Sequence, residues 1–199
     1  MSIIDSHEVM RKLEYLSKSN DAKIVYNTEV NNIIYKKASY YLSFKNLHYK
    51  ARTKILINAA GLWSDKISNM IGIKDYKIHY CKGEYYKTNL YRNKIQSLIY
   101  PIPNKISLGC HIVLRLYGSI GFGPNAYYVN EINYAMDNSY KKEFVKNIHT
   151  YLDIKSSAIS EDFTGIRPKI QRKGENIKDF IIKNEIKKGY KNFINLIGI

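Results

Sequence analysis

The chain has 199 residues, 45% of them hydrophobic, with Lys+Arg 32 against Asp+Glu 17 for a formal net charge of +15. That is enough apolar material to bury a core, which excludes a disordered tail, while no apolar run approaches the roughly 20 residues that span a bilayer. Two cysteines, Cys81 and Cys110, with no CxxC and no His/Cys cluster, exclude a disulfide framework and a metal site and read as structural thiols.

Residues Ser6 to Lys18 place Val9, Met10, Leu13 and Leu16 at helical spacing, which predicts an amphipathic helix capped by Asp5 or Ser6. Lys23 to Tyr26 reads as a short strand, and Thr28 to Val30 leads into another around Ile33 to Tyr35. Tyr40 to Phe44 and Leu47 to Tyr49, split by Lys45-Asn46, predict a hairpin. Lys54 to Asn58 is continuously apolar apart from its ends, the texture of a strand buried on both faces of an α/β sheet, and it runs into Ala59-Ala60-Gly61. Ser64 is placed to cap a helix over Asp65 to Ile71 that Gly72 ends. From Lys77 to Tyr128 the texture is β-rich, with expected strands at His79 to Thr88, Ser97 to Tyr100, Ile106 to Tyr117 and Ser119 to Tyr128. Tyr140 to Leu152 is helical by periodicity, and Phe163 to Ile170, Asp179 to Lys183 and Asn192 to Ile199 return to strands.

The positive charge is spread over nearly every segment together with many Asn, Ile and Tyr, which favours a solvated basic surface over a nucleic-acid-binding module. Its densest stretch, Arg167 to Lys191, holds nine basic residues and three acidic ones and would also help an anionic substrate approach. Met1 to Asn20 alternates charged and apolar residues, so no signal peptide is expected and the expected location is cytoplasmic.

Seven segments in order carry a family resemblance: Ile55 to Asp65 (ILINAAGLWSD), Lys82 to Tyr86 (KGEYY), Ile99 to Pro103 (IYPIP), Leu108 to His111 (LGCH), Gly121 to Ala126 (GFGPNA), Phe163 to Lys169 (FTGIRPK) and Asn195 to Ile199 (NLIGI). Together they resemble the D-amino-acid-oxidase-like FAD-dependent oxidoreductases, most closely the branch of L-2-hydroxyglutarate dehydrogenases and oxidases. The resemblance runs almost the whole length. It implies an α+β fold: an incomplete α/β flavin-binding part, about 1 to 76 plus 155 to 199, with an inserted antiparallel β-sheet substrate domain, about 77 to 154. A GxGxxG turn, whose backbone N–H groups would cradle the flavin pyrophosphate at a helix N-terminus, is not present in these residues. In the resembling family it precedes the position of Met1, and a closing strand, loop and helix follow the position of Ile199. Val113 stands where the family shows a small hydroxyl residue. The chain therefore reads as a split or truncated form of the enzyme, whose separately encoded N-terminal FAD-binding fragment would be its partner, or as a catalytically inactive remnant.

By the same resemblance, Ala59, Ala60, Gly61 and Trp63 lie close to FAD, and the Val30 backbone meets the adenine. The plainer reading of Ala-Ala-Gly is a tight turn that needs small residues. Arg167 would hold one carboxylate of a dicarboxylic 2-hydroxy acid, the two-pronged pairing guanidinium favours. His111 would take the hydroxyl proton, although a lone histidine in an apolar stretch is as readily a core residue. Lys82, Tyr85 and Tyr86 would line the same pocket, Lys82 adding charge for the second carboxylate, and Asn125 would orient the substrate or mark a turn. The implied reaction is oxidation of L-2-hydroxyglutarate to 2-oxoglutarate, with electrons passing to a quinone or oxygen. Peripheral inner-membrane contact through a quinone acceptor is an expected arrangement, and glycerol-3-phosphate or amino-acid oxidation remains an open alternative.

Overall fold

The computed structural model describes residues 3–92, 94–102 and 109–199. The expected strand at Ile106 to Tyr117 therefore lies partly outside the described residues. Helix α1 (Ser6–Ser19) starts where Asp5 accepts the His7 and Glu8 N–H groups, two donors a helix start leaves unpaired. None of its residues is buried. Lys23 to Tyr26 is not a strand, and Ile24, Val25 and Tyr26 lie exposed. Their apolar character is what a strand needs, but no described strand pairs with them.

Strands β1 (Val30–Lys36), β2 (Ser39–Phe44) and β3 (Lys50–Thr53) form an antiparallel meander. The third strand falls later than Leu47 to Tyr49, because Tyr40 pairs with Thr53 and Ser43 with Lys50, which leaves residues 45 to 49 as the connection. Strand β4 (Leu56–Asn58) lies parallel to the last strand, β11 (Phe193–Ile197), which also pairs antiparallel with β10 (Ile181–Asn184). Among the described residues β4 has β11 on one side only, and Ile55 and Ile57 are each 58% exposed. The expected burial on both faces is thus not what these residues have. Helix α2 (Ser64–Met70) begins at Ser64 itself, whose buried hydroxyl makes no capping bond.

The antiparallel sheet is built on β5 (His79–Thr88), flanked on one side by β7 (Ile120–Gly123) and β8 (Tyr127–Val129), and on the other by β9 (Ser160–Lys169). Strand β6 (His111–Leu114) adds to β7, and Ser97 to Tyr100 contributes only a bridge from Ile99 to Ile112. The run from Ser119 to Tyr128 is two strands, divided at Gly123-Pro124, because proline cannot donate to a ladder. Helix α3 (Lys141–Ile148) packs Phe144 and Ile148 against one face of this sheet.

Two apolar cores result. One gathers Ile33, Tyr40, Ile73, Ile78, Phe193 and Ile197 from both chain ends; the other gathers Tyr86, Ile112, Phe122, Phe144, Ile148 and Ile159 from the middle. Strand β9 falls in the segment from residue 155 expected for the flavin-binding part, yet it pairs along β5 from Lys87↔Ser160 to His79↔Lys169 and so belongs to the antiparallel sheet.

Candidate active site

Side chains alternate along a strand, so register decides which residues share a face. Opposite β5, Arg167 stands across from Cys81 and Gly165 across from Gly83; on the other side His111 stands across from Gly123, whose added Cβ would meet the Tyr85 ring at 2.8 Å. Cys81, Gly83, Tyr85, His111 and Arg167 therefore occupy one face. Lys82, Glu84 and Tyr86 occupy the other, the face covered by α3.

The structure thus separates the trio expected to line one pocket. Tyr85 is on the open face with His111 and Arg167. Tyr86 is fully buried, edge-on to Phe144 at 4.9 Å, with its hydroxyl donating to Asn138. Lys82 is buried with its ammonium on the Ala135 carbonyl and 3.3 Å from Glu84, so its charge is spent inside the domain. Asn125 is likewise structural in its contacts: its Oδ1 accepts the Glu84 N–H at 2.7 Å and its Nδ2 donates to the Glu84 carboxylate at 3.1 Å. No sequence pattern marked Glu84 as the centre of this cluster; its neighbours arrive from residues 125 to 137 through the fold.

On the open face, His111 Nδ1 lies 3.1 Å from the Gly109 carbonyl. A carbonyl only accepts, so Nδ1 carries the hydrogen and Nε2 keeps its lone pair. Burial, with the Arg167 charge assisting, lowers the His111 pKa below 6.5, although the Gly109 bond opposes it. The imidazole is neutral at neutral pH, stacked on Tyr100 at 4.5 Å. The Arg167 guanidinium lies beside the Tyr85 hydroxyl and the Cys81 thiol; burial raises both of those pKa values and Arg167 works against it. A cleft of about 350 Å³ opens next to Cys81 and is lined by Tyr128, Lys169, Gln171, Arg172 and Glu175, so part of the basic stretch borders the site.

The Ala59-Ala60-Gly61 turn reaches the same neighbourhood. The 3-10 turn Gly61–Trp63 packs against β9, and Gly198, just past β11, approaches β9 so closely that an added Cβ would lie 2.7 Å from Ile170. Gly61 has φ +53°, a conformation glycine adopts freely, and nothing lies within 4 Å of where its Cβ would be; Gly165 on β9 likewise has nothing within 4 Å of an added Cβ. Trp63 is 48% exposed beside the turn. A buried network fixes that turn from behind. Asn58 accepts the Ala60 N–H at 3.2 Å and donates to the Ser64 carbonyl at 2.7 Å and to Asn195 at 2.9 Å; Asn195 donates to Glu185, which also accepts from Tyr76 at 2.5 Å. Val30 begins β1, partly buried, on the meander. The small-residue turn, the open space beside it and the exposed Trp63 leave room for a flat ring system, which Ala59, Ala60, Gly61 and Trp63 would then border.

Comparison with known proteins gives the family and the fold. The chain is 26% identical to the mitochondrial L-2-hydroxyglutarate dehydrogenase of Arabidopsis thaliana, with 94% of the chain aligned to 44% of that protein. It is 31% identical to L-2-hydroxyglutarate dehydrogenase of Escherichia coli K12 over 62% of the chain and 30% of the relative. The chain spans less than half the length of these curated relatives. Among solved structures, the FAD-bound L-alpha-glycerophosphate oxidase of Mycoplasma pneumoniae superposes with a TM-score of 0.78 at 22% identity, covering 94% of this chain and 49% of that one, which speaks for the fold. With the family model for FAD dependent oxidoreductases matched over residues 2–199, the chain belongs to the DAO family, whose cofactor is FAD.

Proposed function

We propose that this chain supplies the substrate-facing half of an FAD-dependent 2-hydroxy acid dehydrogenase that oxidises L-2-hydroxyglutarate to 2-oxoglutarate. The observation that carries the proposal is the shared face: a neutral His111, a guanidinium at Arg167 and the Tyr85 ring lie on one side of a sheet whose strand β9 the Gly61 turn touches. When bound, FAD accepts the hydride equivalent that leaves the substrate's C2. Arg167 holds the C1 carboxylate by paired N–H donors, and His111 Nε2 accepts the hydroxyl proton as the ketone forms.

The proposal needs a segment bringing the GxGxxG turn, which these 199 residues do not contain. Support comes from the exposed apolar residues of α1, Ile24 to Tyr26, Ile55 and Ile57, all on the flavin-binding part, and from the fraction of each relative that the chain covers. Co-expression with the N-terminal strand-turn-helix of a relative tests it. The expected result is yellow protein whose colour bleaches on adding L-2-hydroxyglutarate. Colourless protein under every pairing would make the chain a catalytically inactive remnant; yellow protein bleached only by glycerol 3-phosphate or an amino acid would reassign the substrate.

A further inference from the structure

With Lys82 turned into the domain, the open face has no cation from that residue for a second carboxylate, yet it carries another guanidinium that sequence reading did not select. Arg115 follows β6 at the turn into β7, where its N–H donates to the Ser119 carbonyl at 3.0 Å. Its side chain then lies back across β7 at Gly121, where a Cβ would come within 2.9 Å of the guanidinium; glycine is what lets it pass. The guanidinium carbon sits 4.8 Å from the Phe163 ring centre and 5.7 Å from that of Tyr85, two rings stacked at 4.4 Å.

A bulge in β9 makes this arrangement. Glu84 pairs with Thr164 and Tyr86 with Glu161, so Asp162 and Phe163 together oppose Tyr85. The extra residue lets Phe163 stack on Tyr85 while Asp162 reaches the Arg115 Nη2. Asp162 also lies 3.5 Å from the Lys87 ammonium, so one carboxylate is shared by two cations and the local charge stays positive. The other N–H groups of the Arg115 fork have no hydrogen-bond partner among the described residues, and its side chain keeps 28% exposure. By register Arg167 lies opposite Cys81, toward one end of β5 from Tyr85, and Arg115 lies over Gly121 opposite Lys87, toward the other.

We infer that Arg115 receives the second carboxylate of a dicarboxylic substrate, so that two guanidiniums flanking Tyr85 select dicarboxylic over monocarboxylic 2-hydroxy acids. A five-carbon dicarboxylate holds its carboxyl carbons about 5 Å apart when extended, a span that lies along the tyrosine ring. Asp162 occupies one prong of the fork and its negative charge opposes an incoming carboxylate, so the pair as it stands weakens the site. The inference rests on the reading of Arg167 as a carboxylate clamp.

The test uses the chain as it stands, with arginine side-chain N–H signals followed by NMR during titration with glutarate and with butyrate. Glutarate is expected to shift both Arg115 and Arg167, and butyrate only Arg167. Arg115→Gln should weaken glutarate about tenfold, to the level of butyrate, and leave butyrate unchanged, as expected for one charge-assisted hydrogen-bonded pair. Asp162→Asn should tighten glutarate several-fold by releasing the fork, a sign that a purely structural role for the Arg115–Asp162 pair would not give, and it carries the test if Arg115→Gln does not fold. Lys146→Gln, exposed on α3 at the covered side of the sheet, should change nothing. Glutarate that shifts Arg167 alone, unchanged or weaker glutarate binding in Asp162→Asn, or an equal loss in Lys146→Gln overturns the inference while sparing the Arg167 reading. Neither acid shifting Arg167 overturns both.

Discussion

Replacing Lys82 by methionine measures what the buried cluster on the covered face contributes. Glu84 is fully buried and accepts from the Tyr127 hydroxyl at 2.8 Å, the Asp137 N–H at 2.8 Å and Asn125 at 3.1 Å, with the Lys82 ammonium, at 3.3 Å, as its only ion-pair partner among the described residues. Taking away that ammonium leaves a carboxylate inside the domain with dipoles alone around it, a loss of about 3–5 kcal/mol for a buried pair broken on one side. With a urea dependence of about 2 kcal/mol per molar, the midpoint should fall by about 1.5–2.5 M, read by far-ultraviolet circular dichroism. Glu84→Gln removes the other charge, and the double variant should be less destabilised than the sum of the two singles by at least about 1 kcal/mol, because the residues touch. A Lys82→Met chain less than about 1 kcal/mol below the parent, or one of full stability with weakened dicarboxylate binding, would refute the placement of this lysine away from the substrate.

Three other outcomes follow from the same geometry. Burial lowers the folded-state pKa of His111 below 6.5, so in the window beneath that value the unfolded chain binds more protons; this contribution to stability is complete above the unfolded pKa and falls as pH drops through it. In Arg167→Gln the His111 imidazole signal should titrate at higher pH, because a neighbouring positive charge is gone; no movement would mean that the two side chains are not neighbours. Asn195→Leu should cost about 1–3 kcal/mol by stranding Glu185 and Asn58 without their shared partner, and should speed hydrogen exchange at the Ala60 N–H. Gly61→Ala meets only the backbone cost of φ +53°, about 1 kcal/mol, whereas Gly123→Ala drives a Cβ to 2.6 Å from the Glu84 carbonyl and should prevent β7 from docking on β5, measured as a much larger fall in the urea midpoint.

What the sequence revealed depended on how local the responsible interactions are. The helix at Ser6 was legible because its spacing and its Asp5 cap lie within a few residues, and β5 was legible because ten residues of strand-forming character run between clear breaks. Val30, Ala59 and Gly61 were expected only through the family resemblance, and the structure places the Gly61 turn against β9. The distribution of Lys82, Tyr85 and Tyr86 between two faces was written in their alternation, yet which face is covered depends on α3, some sixty residues later, so the pattern alone could not assign Lys82 to the core. Arg115 and Asp162 were harder still. Their pairing requires a bulge in β9 and the absence of a side chain at Gly121, and neither leaves a mark in a segment read by itself. Arginine on a turn between two strands looks like ordinary surface until the register lays it across the sheet. In this chain the residues with private, local reasons were readable, and those whose role comes from a neighbour across the sheet became visible only when the strands were in register.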